Sequence, residues 1–269
     1  MNIKTIKQIG LEFECFMLDS QGFYDETNEI PINREYILKG INKKKFGMKD
    51  LSIGTDGSIS ADDDISYTMK TENGVEIPHS QFACSLFNLE IKSRWDYNEE
   101  FFNKLERYAQ FMFKYFGQND SCGNHIHLSF KEEMLGFACF TFKKYWDMII
   151  TSYKEKFINS EYYDRIKYAN RFKCGFCNPQ YDYRNIILII NKNEDAERMK
   201  AINLLSYEKH GTVEFRMMPY AEDWNEYIDQ IKWLIETVET ILTGTYANNE
   251  IELSFLKRPD NPVIESINM

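Results

Sequence analysis

The chain lacks any long apolar run. The longest, around Ile186 to Ile190, is a handful of residues, where a bilayer crossing takes ~20, so no membrane partner is expected. It also lacks a block of lysine and arginine, and its formal net charge of -10 would repel a phosphate backbone; nucleic acid is excluded as a primary partner. The opening Met1-Asn2-Ile3-Lys4 passes directly into alternating, strand-like sequence without the apolar segment and small-residue cleavage site of a secretory signal, which predicts a cytoplasmic location. No internal repeat or low-complexity tract is present, which excludes solenoids and arrays. The phosphate cradle GxxxxGK[ST] is missing, as is a GxGxxG between a strand and a helix, so a bound nucleotide would have to be held by metal and arginine. Cysteine is sparse, at positions 15, 84, 122, 139, 174 and 177. A reducing cytosol keeps such residues as thiols. Cys174 and Cys177 supply half of a structural zinc site with no second CxxC or HxxxH to complete it, against which stands the plainer reading of packed, buried cysteines.

What is present suits one large domain. The 269 residues are 43% hydrophobic, enough for a substantial core, and a single domain is expected over 1–269. Phe101, Leu105, Tyr108, Met112 and Phe116 recur at helical spacing and predict a helix over 98–117, stopped by Gly117. Similar aromatic and aliphatic stripes predict helices over 132–157 and 224–243, and the first use of such stripes is core packing. The period drops to two near 6–18, 73–78, 123–130, 185–190 and 210–218, which predicts strands. The stretch 155–184 is aromatic, basic and broken by Asn, Gly and Pro; it reads as a long excursion over the sheet, a lid.

Residues i and i+2 of a strand share a face. Glu12 and Glu14 therefore stand together, as do His125 and His127, and Glu214 and Arg216, each pair backed by apolar neighbours. Glu76, in Gly74-Val75-Glu76-Ile77, adds a single carboxylate. Any antiparallel strand with one wet face alternates in this way. These pairs, however, are Glu/Glu, His/His and Glu/Arg, with no lysine among them, and adjacent carboxylates are costly unless a cation neutralises them. Oxygen ligands favour Mg2+ or Mn2+.

The ordered motifs Gly10-Leu11-Glu12-Phe13-Glu14, Thr55-Asp56-Gly57-Ser58, Gly74-Val75-Glu76-Ile77, Cys122-Gly123-Asn124-His125-Ile126-His127 and Gly211-Thr212-Val213-Glu214-Phe215-Arg216 resemble the glutamine synthetase and glutamate-cysteine ligase superfamily, and more closely the amidoligases of bacterial and phage genomes. Arg198-Met199-Lys200-Ala201-Ile202-Asn203-Leu204 is similar to the Arg-Tyr-x-Ala-Val-Asn-Leu segment of amidoligases. The Arg171 and Cys177 of Arg171-Phe172-Lys173-Cys174-Gly175-Phe176-Cys177 resemble an Arg followed by Tyr-Cys in the same family. His79, after Pro78, departs from the Ser-Pro that often follows the Gly-x-Glu strand. The resemblance spans residues 9–216 and leaves the C-terminal helix and tail unanchored.

The resemblance implies an α+β fold with a glutamine-synthetase-like curved, mainly antiparallel sheet and helices packed on one face. It implies that Glu12 and Glu14 ligate two metal ions, that Glu76 joins one of them, and that His125 and Glu214 hold the metal nearest the γ-phosphate of ATP. His127 would lie beside the nucleotide phosphates. Arg216 and Arg198 would neutralise transferring phosphate or substrate carboxylate through paired hydrogen bonds, and Arg171 joins the catalytic set. Asp56 stands either in catalysis or as a local turn former; Asp56 and Glu76 are the candidates for the base that deprotonates the amine. The implied activity is ATP- and Mg2+-dependent (or Mn2+-dependent) ligation of a small-molecule or peptide carboxylate to an amine through an acyl phosphate. Within the same fold, a protein-tagging ligase of the Pup-ligase type is the alternative. A metal- and nucleotide-binding accessory protein of phage or cell envelope without turnover, and a metal-dependent hydrolase, stand as further readings.

Overall fold

The computed structural model describes residues 5–17, 34–56, 59, 69–70, 76–77, 88–131, 137, 139–181 and 199–247. The expected strand at 185–190 and the candidate Arg198 lie outside them. The chain divides into two compact units, one made of Met1–Gly10, His125–Pro219 and Asp229–Met269, the other of Leu11–Asn124 and Tyr220–Ile228. Each has helices and part of a mainly antiparallel open sheet, so the architecture is α+β. Among the described residues no helix is long and apolar enough to cross a membrane.

In the unit of residues 11–124 and 220–228, the C-terminal part of β1 (Ile6–Met17) has β5 (Leu89–Asp96) beside it, and β5 in turn pairs with β2 (Asp50–Thr55). β2 and β5 run antiparallel with Gly54 opposite Glu90 and Ser52 opposite Lys92. The short β6 (Phe116–Gly117) pairs antiparallel with the end of β1, Phe16 opposite Gly117. β3 (Met69–Lys70) and β4 (Glu76–Ile77) form a separate two-stranded sheet with Lys70 opposite Glu76. α1 (Arg34–Gly40) and α2 (Lys43–Phe46) precede β2; Asn42 caps α2 by accepting the Lys45 N–H. The helix expected over 98–117 is α3 (Phe101–Tyr115), and its apolar stripe buries Phe101, Leu105, Tyr108 and Met112. Against it lie Trp95 and Phe46, whose rings stand 5.3 and 5.7 Å from that of Tyr108. The Trp95 indole N–H donates to the Phe46 carbonyl at 3.0 Å, so this large ring is buried with its polar atom satisfied.

In the other unit the N-terminal part of β1 neighbours β7 (Gly123–Phe130), followed by β9 (Val213–Pro219) and β8 (Ile202–Asn203). The Lys131 N–H donates to the Thr5 carbonyl and the Ser129 hydroxyl to the Gln8 carbonyl. Residue numbers thus fall along β7 as they rise along β1, which is an antiparallel pairing. The expected helix over 132–157 is interrupted: Phe137, Cys139 and Phe140 are helical, Phe142 is extended, α4 runs over Lys143–Tyr153, and the chain then widens into a π-helical turn, Lys154–Ile158. Asp164 caps α5 (Arg165–Arg171) by accepting the N–H groups of Ile166 and Lys167. Of the stretch expected to form a lid, Phe157 and Tyr168 are fully buried and their rings stack at 4.6 Å, with Trp233 of α7 (Trp224–Ala247) edge-on at 5.2 Å. The Tyr153 hydroxyl donates towards the carbonyls of Met217 at 2.9 Å and Tyr168 at 3.2 Å, tying α4 to β9 and α5. The expected strand at 210–218 starts only at Val213, because α6 (Leu205–His210) precedes it and Gly211 turns the chain out of that helix at φ 64°, a conformation glycine adopts without strain.

Candidate functional site

Alternation places Glu12 and Glu14 on one face of β1, with Leu11, Phe13 and Cys15 buried on the other. On β5 the same period buries Leu89, Ile91, Ser93 and Trp95 and sets Glu90 and Lys92 together on the opposite face. The Ser93 hydroxyl donates to the Leu11 carbonyl, and in the adjacent position Lys92 Nζ lies 2.9 Å from Glu12 Oε1 and 2.8 Å from Glu90 Oε2. One ammonium therefore bridges two carboxylates. Burial lowers the basicity of Lys92, but the charges of Glu12 and Glu90 and their hydrogen bonds outweigh it and leave the pKa raised. Burial, and after it the charge of Glu12, pushes Glu90 up from 4.5 to about 7 despite Lys92.

A second grouping overlaps this one. Glu14, Asp56 and Glu90 each present an oxygen, and these oxygens all lie within 4.8 Å of one another. Asp56 follows β2 directly, where its N–H donates to the Asn88 carbonyl at 3.3 Å. Glu14 is buried and accepts the N–H of Gly123 through Oε2. Gln118 Nε2 donates to the Glu14 carbonyl at 2.7 Å and to Asn124 Oδ1 at 2.8 Å, while its Oε1 accepts the Ala221 N–H at 2.9 Å. With Glu12, this part of the chain brings together four carboxylates, two of which, Glu12 and Glu90, share Lys92. An oxygen-only set of this kind suits a small hard cation such as Mg2+ or Mn2+.

The polar residues of β7 and β9 are arranged differently. Glu214 is buried and shares its two oxygens: Oε1 accepts from Arg216 Nη1 at 2.6 Å, and Oε2 accepts from Asn203 Nδ2 at 2.7 Å, across a register that sets Asn203 opposite Glu214. His125, also buried, has Nδ1 at 3.5 Å from Glu214 Oε1 and Nε2 at 3.2 Å from Arg171 Nη2. A guanidinium only donates, so the ring nitrogen facing Arg171 accepts and the imidazole proton sits on Nδ1, towards Glu214. A metal could reach Nε2 only by displacing Arg171. That arginine also donates from Nε to the Arg216 carbonyl at 3.0 Å, which seats the end of α5 on β9. His127 Nδ1 lies 3.1 Å from Thr212 Oγ1 and 3.2 Å from Ser206 Oγ, and the two hydroxyls are 3.1 Å apart. The His210 ring stands edge-on to that of His127 at 6.4 Å.

Of the residues singled out from sequence, the structure thus groups Glu14 with Asp56, sets Glu12 against Lys92, and joins His125, Glu214, Arg216 and Arg171 in one network. Glu76 is described only as backbone of β4. Glu90 and Lys92 escaped the sequence reading, although Leu89-Glu90-Ile91-Lys92-Ser93-Arg94-Trp95 alternates as regularly as β1 does. Asn203 lay within a quoted motif without a role, and its signal is its pairing with Glu214. The carboxylate pairs carried no lysine in sequence; in the fold, a lysine from another strand reaches them. The described cysteines, 15, 122, 139, 174 and 177, are free thiols, and burial pushes Cys177 up to about 12, which makes it a poor nucleophile. No family model, no curated protein and no solved structure matches the chain.

Proposed function

We propose that the chain is an ATP- and Mg2+-dependent carboxylate-amine ligase of the amidoligase type, with a glutamine-synthetase-like sheet. The observation that carries this reading is the convergence of Glu14, Asp56 and Glu90 within 4.8 Å, since two of the three come from separate motifs of the resemblance and the third from a neighbouring strand. The donor set fits a magnesium ion, a hard cation that would be held by the carboxylate oxygens of Glu14, Asp56 and Glu90. Bound there, the ion would supply charge neutralisation for phosphoryl transfer from ATP to a carboxylate, which yields an acyl phosphate and ADP. An amine then displaces phosphate from the acyl carbon and gives up a proton. Asp56, directly after β2, is the proposed acceptor of that proton.

The test is to incubate the protein with ATP, Mg2+ and panels of carboxylates and amines, reading phosphate release and product masses. Amine-dependent phosphate release that disappears in Glu14→Gln is expected. Absence of both turnover and nucleotide binding across the panels would sink the ligase reading. One observation favours a second reading, a metal- and nucleotide-binding protein without turnover: Arg216 is committed to Glu214 and Arg171 to His125, so both guanidiniums are already engaged. Nucleotide binding without any product would select that reading.

A further inference from the structure

We propose that Lys92 serves as a built-in second cation of the acidic cluster, so that the chain takes one divalent ion there instead of two. This rests on the metal reading of Glu14, Asp56 and Glu90. Lys92 Nζ lies at 2.9 Å from Glu12 Oε1 and 2.8 Å from Glu90 Oε2, at the place from which an ion shared by these two carboxylates would bind them. An ammonium and a divalent ion cannot share that place, because like charges a few ångströms apart repel and each needs the same oxygens. Glu14, Asp56 and Glu90 together remain a sufficient set for one ion. Glu90 would then serve both the metal and Lys92.

The placement of Lys92 follows from the strands. Glu90 and Lys92 are two residues apart on β5 and share its face, and the neighbouring hydrogen bond from Ser93 to the Leu11 carbonyl sets Lys92 beside Glu12. An isolated ion pair at a half-exposed lysine would contribute little, but here a single ammonium answers two carboxylates from adjacent strands. The cation count of the cluster is thereby written into the chain, and Lys92 decides whether Glu12 is a metal ligand or the partner of a lysine.

The experiment is a titration of the full chain with Mn2+, the bound ion counted from the loss of the free-ion electron paramagnetic resonance signal. The wild-type chain is expected to bind one Mn2+, Lys92→Arg one, and Lys92→Met two, since removal of the ammonium opens the pair Glu12 and Glu90. Circular dichroism checks that the variants fold, and Lys92→Gln replaces Lys92→Met should the latter not fold. Two ions in the wild-type chain would overturn the proposal while leaving the metal reading standing, as would a count of one in both neutral variants. No bound Mn2+ in any of them would overturn both.

Discussion

Around Glu214, two guanidiniums, an imidazole and a side-chain amide gather on a single carboxylate and its neighbours, whereas Glu90 shares one ammonium with Glu12 and stands close to two further carboxylates, Glu14 and Asp56. Both clusters grow from the same device, polar residues alternating with apolar ones along a strand. They differ in what closes them. The cluster of β7 and β9 is closed by the chain itself, through Arg171 at the end of α5 and Asn203 across β8, so that each oxygen of Glu214 has a donor. Among the described residues the cluster of β1, β2 and β5 sets four carboxylates beside one lysine, a surplus of negative charge, and burial, followed by the charge of Glu12, raises the pKa of Glu90 to about 7. A carboxylate whose two oxygens are both met by the chain's own donors, as those of Glu214 are, ties its strands together. A set that stays in deficit of positive charge is where an external cation is sought.

The largest effect that can break this comparison is loss of that tie. Glu214→Ala removes the acceptor of Arg216 and Asn203 in a buried setting, and an uncompensated buried charge costs about 3 kcal/mol or more. The denaturation midpoint in urea should fall accordingly; a change below about 1 kcal/mol would show that the network behaves as a solvated surface pair. Next comes the pH dependence of the surplus. Glu90 has a folded pKa of about 7 against 4.5, so between these values the folded chain holds more protons than the unfolded one. Stability then falls as pH rises through that window. In buffer with a chelator the wild-type chain should lose up to about 2 kcal/mol across it after allowance for solvent screening, and Glu90→Gln should lose less. Equal slopes for both chains would remove Glu90 as the source.

A smaller effect sharpens the functional side. Glu14→Gln keeps an oxygen to accept the Gly123 N–H but deletes a charge among three converging carboxylates. Mn2+ affinity should drop by at least about 10-fold, with the urea midpoint nearly unchanged because repulsion within the cluster is relieved. Unaltered affinity would place the ion elsewhere.

Sequence periodicity was a good guide where burial alone decides the element. β1, β7 and α3 follow their stripes to within a few residues, and the burial of Phe101, Leu105, Tyr108 and Met112 is the pattern read as structure. It was a poor guide where partners decide. β5 alternates well, but its exposed face carries Lys92 and Arg94, the composition of any wet face, and its importance comes from Lys92 lying beside Glu12, 80 residues earlier in the chain. α6 is one short helix whose end is set by Gly211 at positive φ, a backbone choice that no side-chain period announces. The carboxylates of the candidate site were legible as pairs on strands; that Asp56 joins Glu14 whereas His125 is held by Arg171 required the tertiary register.

The self-closed cluster also has a redundant corner, and the smallest expected effect tests it. Two hydroxyls, Ser206 and Thr212, lie within hydrogen-bond distance of the same nitrogen of His127 and of each other. Each hydroxyl can donate or accept by rotating its hydrogen, so loss of one leaves the other able to serve Nδ1. Ser206→Ala and Thr212→Val should each cost less than about 1 kcal/mol. The double variant removes both hydroxyls at once, and its cost should exceed the sum of the singles by about 0.5 kcal/mol or more. Chemical denaturation of the four chains completes the cycle. Strict additivity would mean that the two hydroxyls act separately on their surroundings, and the triangle would then have no part in holding the His127 ring in one orientation.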